Sequence, residues 1–121
     1  MLYAELTEAA AALVAGEPDP IANMANVAAL IWETLPDLNW AGFYRNVDGE
    51  LVLGPFQGRP ACIRIPFGQG DRADGRTSSI AGFQAPSRPL DLDLDSPAPG
   101  RFTEEDEAGC VALCGLLAKL L

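Results

Sequence analysis

Histidine is absent from this 121-residue sequence, and cationic residues are scarce. Without histidine the chain cannot build a Ser-His-Asp or Cys-His catalytic group, nor a zinc site that needs an imidazole ligand. Its three cysteines are too few for a four-cysteine zinc site. Eight Lys and Arg residues against 17 Asp and Glu residues give a net charge of −9, which argues against nucleic acid and anionic membranes as partners. Any chemistry is therefore expected to come from thiols and carboxylates, without a metal.

The sequence also lacks a long apolar run and a basic N-terminal leader. Its first ten residues, MLYAELTEAA, contain an early carboxylate and no Lys or Arg, and no stretch has the length of a membrane span. We therefore expect a cytoplasmic protein with reduced cysteines and no membrane partner. Apolar residues make up 49% of the chain, which is enough for the core of a single domain over residues 1–121.

Two helices are predicted near the start of the chain. The first covers residues 2–15 and ends at Gly16, a residue that is common just after a helix. The second has Asp19 as its N-cap and Pro20 at its first position, and it ends near Leu35.

A third helix is predicted from Thr103, which forms a capping box with Asp106. Its apolar stripe consists of Val111, Cys114, Leu117 and Leu121. Cys110 and Cys114 lie four residues apart, so their β-carbons would be about 5–6 Å apart, whereas a disulfide requires about 3.5–4.5 Å. Both are therefore predicted to be small core residues.

The segment between the helices has the alternation of an antiparallel β-sheet. Residues 40–44 and 50–53 are predicted strands joined by a tight turn at Asp48-Gly49. Residues 61–65 alternate as a third strand that carries Cys62. The fold class is therefore predicted to be α+β, with an antiparallel sheet flanked by N-terminal and C-terminal helices.

Three aspartates alternate with three leucines over residues 90–95. In a strand, Asp91, Asp93 and Asp95 would share one face. Crowded carboxylates can raise a pKa and retain a proton, as an acid catalyst requires. The alternative is a solvated acidic face without a catalytic role.

Three linked motifs occur between Asn39 and Gly70, namely NWAGFY, LVLGPFQG and PACIRIP. Together they resemble the signature of the free methionine-(R)-sulfoxide reductases, a branch of the GAF-domain superfamily. The resemblance covers about residues 2–70 and 92–121, and it implies a GAF fold. It also implies reduction of free L-methionine (R)-sulfoxide or a similar small molecule, with thioredoxin and NADPH as the external reductant and no bound cofactor.

The resemblance assigns roles to five residues of this chain. Trp40 and Tyr44 match an aromatic wall for the substrate's methyl-sulfur end, a role that suits aromatic faces. Asp93 and Asp95 match positions that hold the ammonium and sulfoxide groups. Cys62, the catalytic candidate, matches a family cysteine that resembles a resolving thiol rather than the attacking one. The alternatives are ordinary core positions for the aromatic residues and a half-buried strand position for Cys62.

The family pattern is interrupted after Gly70. Asp71-Arg72 stands where the family has Val-Cys, and residues 71–91 replace the segment that carries the attacking cysteine. Scattered Gly, Pro and Ser predict that residues 71–91 form a divergent, irregular loop beside an incomplete sheet. A frameshift, an artificial change and a natural variant are alternative origins of this segment.

The interruption predicts impaired reductase activity. The alternatives are a catalytically inactive GAF-type module for small-molecule binding or association, and a defective gene product without a selected role. A shortened sheet would leave an unpaired edge, which could make the chain a homodimer.

Overall fold

A computed structural model of the protein describes residues 2–66, 78–81 and 90–119. Within these ranges, three helices accompany one sheet of five strands. The helices are α1 (Leu2–Val14), α2 (Pro20–Thr34) and α3 (Glu104–Ala118). The strands are β1 (Trp40–Val47), β2 (Glu50–Gly58), β3 (Arg64–Pro66), β4 (Ser78–Ala81) and β5 (Leu90–Ser96). The strand order is β3-β2-β1-β5-β4 with every neighbouring pair antiparallel, so the predicted α+β class is confirmed.

The predicted helix starts are confirmed by their capping bonds. The Asp19 carboxylate accepts hydrogen bonds from the amides of Ile21 and Ala22, at 2.9 and 3.3 Å. The Asp106 amide donates to the Thr103 hydroxyl at 3.2 Å, and the Thr103 amide donates to the Asp106 carboxylate at 2.8 Å. Each bond satisfies an amide that the helix itself leaves without a partner, which fixes where the helix begins.

The main core lies between the helices and one face of the sheet. The sheet contributes the buried side chains of Ala41, Phe43, Leu90, Leu92 and Leu94. Cys110 and Cys114 are buried in the same core, as predicted, whereas Val111 of the predicted stripe is 40% exposed. Leu121 lies outside the described residues. None of the helices in the described ranges is long and apolar enough to cross a membrane.

The prediction that Cys62 lies on a strand is wrong. Strand β3 begins only at Arg64, and Cys62 belongs to an irregular segment over residues 59–63. Pro60 has no amide hydrogen to donate to a strand ladder. The Cys62 carbonyl accepts a hydrogen bond from the hydroxyl of Tyr44. Ile63, which a regular strand would have placed on the inner side, is 68% exposed.

The prediction of an irregular loop throughout residues 71–91 is also wrong in part. Strand β4 pairs with β5 from Ser78 opposite Ser96 to Ala81 opposite Asp93, and β5 itself begins at Leu90. The backbone amides and carbonyls along one edge of β5 can hydrogen-bond to a short strand, whether or not the side chains of that strand are apolar. Residues 71–77 and 82–89 lie outside the described residues.

Candidate functional site

The register between β1 and β5 brings the predicted site residues together. Trp40 pairs with Asp95, Gly42 with Asp93, and Tyr44 with Asp91. Paired residues of an antiparallel ladder point to the same side, and alternate residues of one strand share that side. The aromatic residues of β1 and the aspartates of β5 therefore share the sheet face opposite the helices, one strand apart.

Three aromatic rings form a continuous wall on this face. The Trp40 ring stacks on Phe56 with centroids 5.2 Å apart and on Tyr44 with centroids 6.0 Å apart. Gly42 lies beneath them, and a β-carbon at this position would collide with the Cβ of Phe56 and come within 2.8 Å of the Trp40 ring. We call Trp40, Tyr44 and Phe56 the aromatic wall. It depends on glycine at position 42.

Sequence reasoning missed Phe56, because a simple alternation along β2 from Leu51 and Leu53 places residue 55 on this face. An irregularity in the β1–β2 ladder shifts the register, so Gly42 pairs with Phe56 whereas Tyr44 pairs with Leu53. The extra residue of a bulge reverses the alternation beyond it. Phe56 and Leu53 thus pack in one cluster although they lie three residues apart.

Burial contradicts the alternative of a solvated acidic face for Asp91 and Asp93. Asp91 has no exposed surface and Asp93 is 8% exposed, while Asp95 is partly exposed. Acidic side chains are rarely buried to this extent unless they are paired. We call Asp91, Asp93 and Asp95 the aspartate row; it lies beside the aromatic wall on the same face of the sheet.

Cys62 is exposed and lies next to the aromatic wall. The Tyr44 hydroxyl donates to the Cys62 carbonyl at 2.9 Å. The Trp40 indole nitrogen donates to the Arg59 carbonyl at 3.0 Å. The wall therefore contacts the backbone of the segment that carries the predicted catalytic thiol.

The other two cysteines lie on the opposite side of the sheet. Burial raises the pKa of Cys110 and that of Cys114 to about 12 each, and the negative charges of Asp106 and Asp91 respectively add to the effect. The Cys114 thiol donates to the Leu90 carbonyl at 3.7 Å. A thiol with so high a pKa has almost no thiolate at neutral pH and is a poor nucleophile.

No family model matches the chain. The free methionine-R-sulfoxide reductase of Escherichia coli is 41% identical over 145 aligned residues, which cover 98% of this chain and 88% of that protein. Because the aligned span is longer than the 121 residues of this chain, the E. coli protein has internal positions without a counterpart here.

Two solved structures have the same fold. The free methionine-R-sulfoxide reductase of Neisseria meningitidis, determined in complex with its substrate, is 31% identical with a TM-score of 0.83, and the match covers 98% of this chain and 87% of that one. A candidate GAF sensor protein of Burkholderia vietnamiensis is 39% identical with a TM-score of 0.84, covering 98% and 92%. With this identity over nearly its whole length, the chain belongs to the free methionine-R-sulfoxide reductase family of GAF-domain proteins.

Proposed function

We propose that this chain binds free L-methionine (R)-sulfoxide between the aromatic wall and the aspartate row, and that its reductase activity is impaired. The observation that carries the proposal is the β1–β5 register, which places Trp40 opposite Asp95 and Tyr44 opposite Asp91. The names of the E. coli and N. meningitidis relatives support the same ligand.

The chemistry of the face matches the two ends of this ligand. Methionine sulfoxide carries an ammonium group at one end and a methyl-sulfur group at the other. The aspartate row would hold the ammonium, with Asp93 nearest the middle of the face, while the wall would receive the methyl-sulfur end. Neighbouring strands are about 4.8 Å apart, so one small molecule can contact both.

Reduction of a sulfoxide by a thiol transfers one oxygen atom. The substrate S–O bond breaks, a carboxyl group supplies a proton to the oxygen, and the thiol becomes a sulfenic acid while methionine is released. A second thiol then condenses with the sulfenic acid to form a disulfide and water. An external dithiol such as thioredoxin, supplied with electrons from NADPH, would reduce that disulfide.

The chain has too few accessible thiols for this cycle. Cys62 matches the family's resolving position, whereas Cys110 and Cys114 are buried on the other side of the sheet. A nucleophile must lie almost in contact with the substrate sulfur, and small displacements can cost about a hundredfold in rate. We therefore expect binding with little turnover. If turnover is absent altogether, the chain is a GAF-type binding module without catalysis.

The cellular setting is part of the proposal. We infer a cytoplasmic location, where thioredoxin would be the external reductant. We also propose a homodimer, because β3 and β4 are the outer strands of the described sheet and an outer strand can pair with another chain. Light scattering on the purified chain would test the dimer.

Calorimetric titration with free L-methionine (R)-sulfoxide tests the ligand. We expect saturable binding that Trp40→Ala abolishes and that the exposed helix variant Glu8→Gln leaves unchanged. Binding of equal strength in Trp40→Ala, or no binding to the wild-type chain, would overturn the proposed ligand site.

A further inference from the structure

Two rings of the aromatic wall also contact the protein backbone, because their polar atoms bond one short segment. The Trp40 indole nitrogen donates to the Arg59 carbonyl at 3.0 Å, and the Tyr44 hydroxyl donates to the Cys62 carbonyl at 2.9 Å. Both acceptors lie between the end of β2 and the start of β3, where the chain forms no regular strand. Two buried side chains thus bond the backbone of this irregular segment.

The two donors are far more buried than the segment that they bind. Trp40 is 6% exposed and Tyr44 is 3% exposed, and their rings stack on each other. By contrast, Cys62 is exposed and Ile63 is 68% exposed. A buried side chain in a close-packed cluster has few alternative positions, so these donors form a fixed reference for a solvent-facing segment.

A third bond limits how the segment can move. The Leu53 amide donates to the Ile63 carbonyl at 2.9 Å, so the segment is attached to β2 immediately after Cys62. Among the described residues, the Tyr44 hydroxyl bonds the carbonyl of Cys62 itself. Loss of that hydroxyl would remove this hydrogen bond to the Cys62 peptide and leave the bond at Ile63 in place.

We propose that Tyr44 is a positioning residue for Cys62, in addition to its place in the aromatic wall. Its hydroxyl fixes the Cys62 backbone against the wall and thereby sets where the thiol stands relative to a molecule bound there. The effect of Tyr44 on a bound ligand rests on the proposed function. Its effect on the position of the thiol in the ligand-free protein is independent of that function.

The test is alkylation of the full, ligand-free chain by iodoacetamide, followed at the Cys62 peptide by mass spectrometry. Tyr44→Phe keeps the ring and removes one hydroxyl. We expect Cys62 to react about threefold faster or more. Losing one hydrogen bond should raise the fraction of molecules with a detached Cys62 segment by about this factor. Tyr3→Phe is the matched control, because it removes a tyrosine hydroxyl bond to Asp106 on the helix side of the sheet. It should lower stability without changing the rate at Cys62.

A Cys62 rate in Tyr44→Phe that is equal to or below that of the wild type would overturn the positioning role. Equal acceleration in Tyr3→Phe would also overturn it, because general loosening would then explain the effect. The experiment uses no sulfoxide, so failure of the chain to bind methionine sulfoxide would refute the proposed ligand and leave this inference to be judged by alkylation alone.

Discussion

At the scale of single residues, burial divides the three cysteines into two kinds of thiol. Cys62 faces solvent, while Cys110 and Cys114 are completely buried. The pKa of each buried thiol is raised from 9.0 to about 12, first by burial and then by nearby carboxylates. Native protein at neutral pH should therefore present Cys62 alone to a thiol reagent.

The buried thiols predict a loss of stability in alkali. A group whose pKa is raised by folding stabilises the native state fully below its unfolded pKa, near 9.0 for cysteine, and that contribution disappears as pH rises toward 12. Tyr3, whose pKa burial also raises, acts in the same direction at higher pH. Urea unfolding between pH 8 and pH 11 should show a decline above about pH 9.

The matched variant for this prediction is Cys110→Ala with Cys114→Ala. It should be less stable than the wild type at neutral pH because two core side chains are shortened. Its stability should nevertheless fall less steeply with pH. An equally steep fall in the variant would show that the buried thiols do not cause the dependence.

Asp93 should be the strongest single determinant of ligand affinity among the carboxylates, because it is nearly buried opposite Gly42 at the centre of the face. Asp93→Asn should weaken binding of methionine (R)-sulfoxide by about 10- to 100-fold, the usual effect of losing a charged hydrogen-bond partner. Calorimetry would measure the change. Glu8→Gln, which alters the net charge equally at an exposed position of α1, should leave affinity unchanged. A comparable loss in Glu8→Gln would indicate a general effect of charge.

At the scale of secondary-structure elements, the close approach of β1 and β2 depends on one glycine. A methyl group at Gly42 would meet the Cβ of Phe56 and lie 2.8 Å from its backbone Cα, and the backbone cannot easily move away. Gly42→Ala should therefore destabilise the fold by about 1–3 kcal/mol, as overpacking usually does. It should also disturb the near-ultraviolet circular dichroism of Trp40.

Gly115→Ala in α3 is the control for this change, because nothing lies within 4 Å of the added methyl group. In a helix this substitution should stabilise by about 0.5–1 kcal/mol. A Gly42→Ala variant as stable as the wild type, with an unchanged Trp40 signal, would contradict the close approach of β1 and β2.

The docking of α1 on α3 depends on a network around Asp106. The Tyr3 hydroxyl donates to this carboxylate at 2.8 Å, and Arg101 donates to it at 3.1 Å. Burial alone would raise the pKa of Asp106, but bonds from Thr103 and Tyr3 and the charge of Arg101 outweigh burial and hold the pKa below its usual value of 3.8. The ionised carboxylate is therefore favoured by folding.

This network predicts a dependence of stability on acid. Because folding lowers the pKa of Asp106, its contribution is complete above about pH 4 and is lost as pH falls through the native pKa. Asp106→Asn should cost about 1–3 kcal/mol at pH 7 in urea unfolding. The difference from the wild type should shrink at pH 3 and below, whereas the exposed neighbour Glu107→Gln should have little effect throughout. A difference that stays constant with pH would exclude this mechanism.

The sequence correctly predicted the turn and the helix caps that depend only on residues adjacent in the chain. The turn at Asp48-Gly49 and the caps at Asp19 and Thr103 depend on a few adjacent residues, and the structure confirms them. The shared face of the aspartate row follows from strand alternation alone. The sequence predicted this shared face only on the condition of a strand, and it did not indicate how deeply the row is buried.

The errors arose where distant residues decide the outcome. Cys62 lies outside the strand, and its carbonyl accepts a hydrogen bond from Tyr44, 18 residues earlier. Phe56 reached the site because a register shift in β2 reversed the alternation. The strand at Ser78–Ala81 formed because β5 offered a side to pair with. None of these causes can be seen in a short sequence window.

At the scale of the whole molecule, the sheet separates the main core, which stabilises the fold, from the face where we propose that the ligand binds. The helices and the main core occupy one face, where two of the three cysteines are buried. The aromatic wall, the aspartate row and Cys62 occupy the other face. The groups that could hold a substrate are thus present together, while two of the thiols that could complete a redox cycle are on the wrong side.

The most direct test of this account is NADPH consumption coupled through thioredoxin reductase and thioredoxin, with free L-methionine (R)-sulfoxide as substrate. The E. coli relative, measured in parallel, provides the reference rate. We predict turnover far below that reference from a chain that nevertheless binds the sulfoxide. Turnover close to the reference, abolished by Cys62→Ser, would contradict the account and identify Cys62 as the nucleophile.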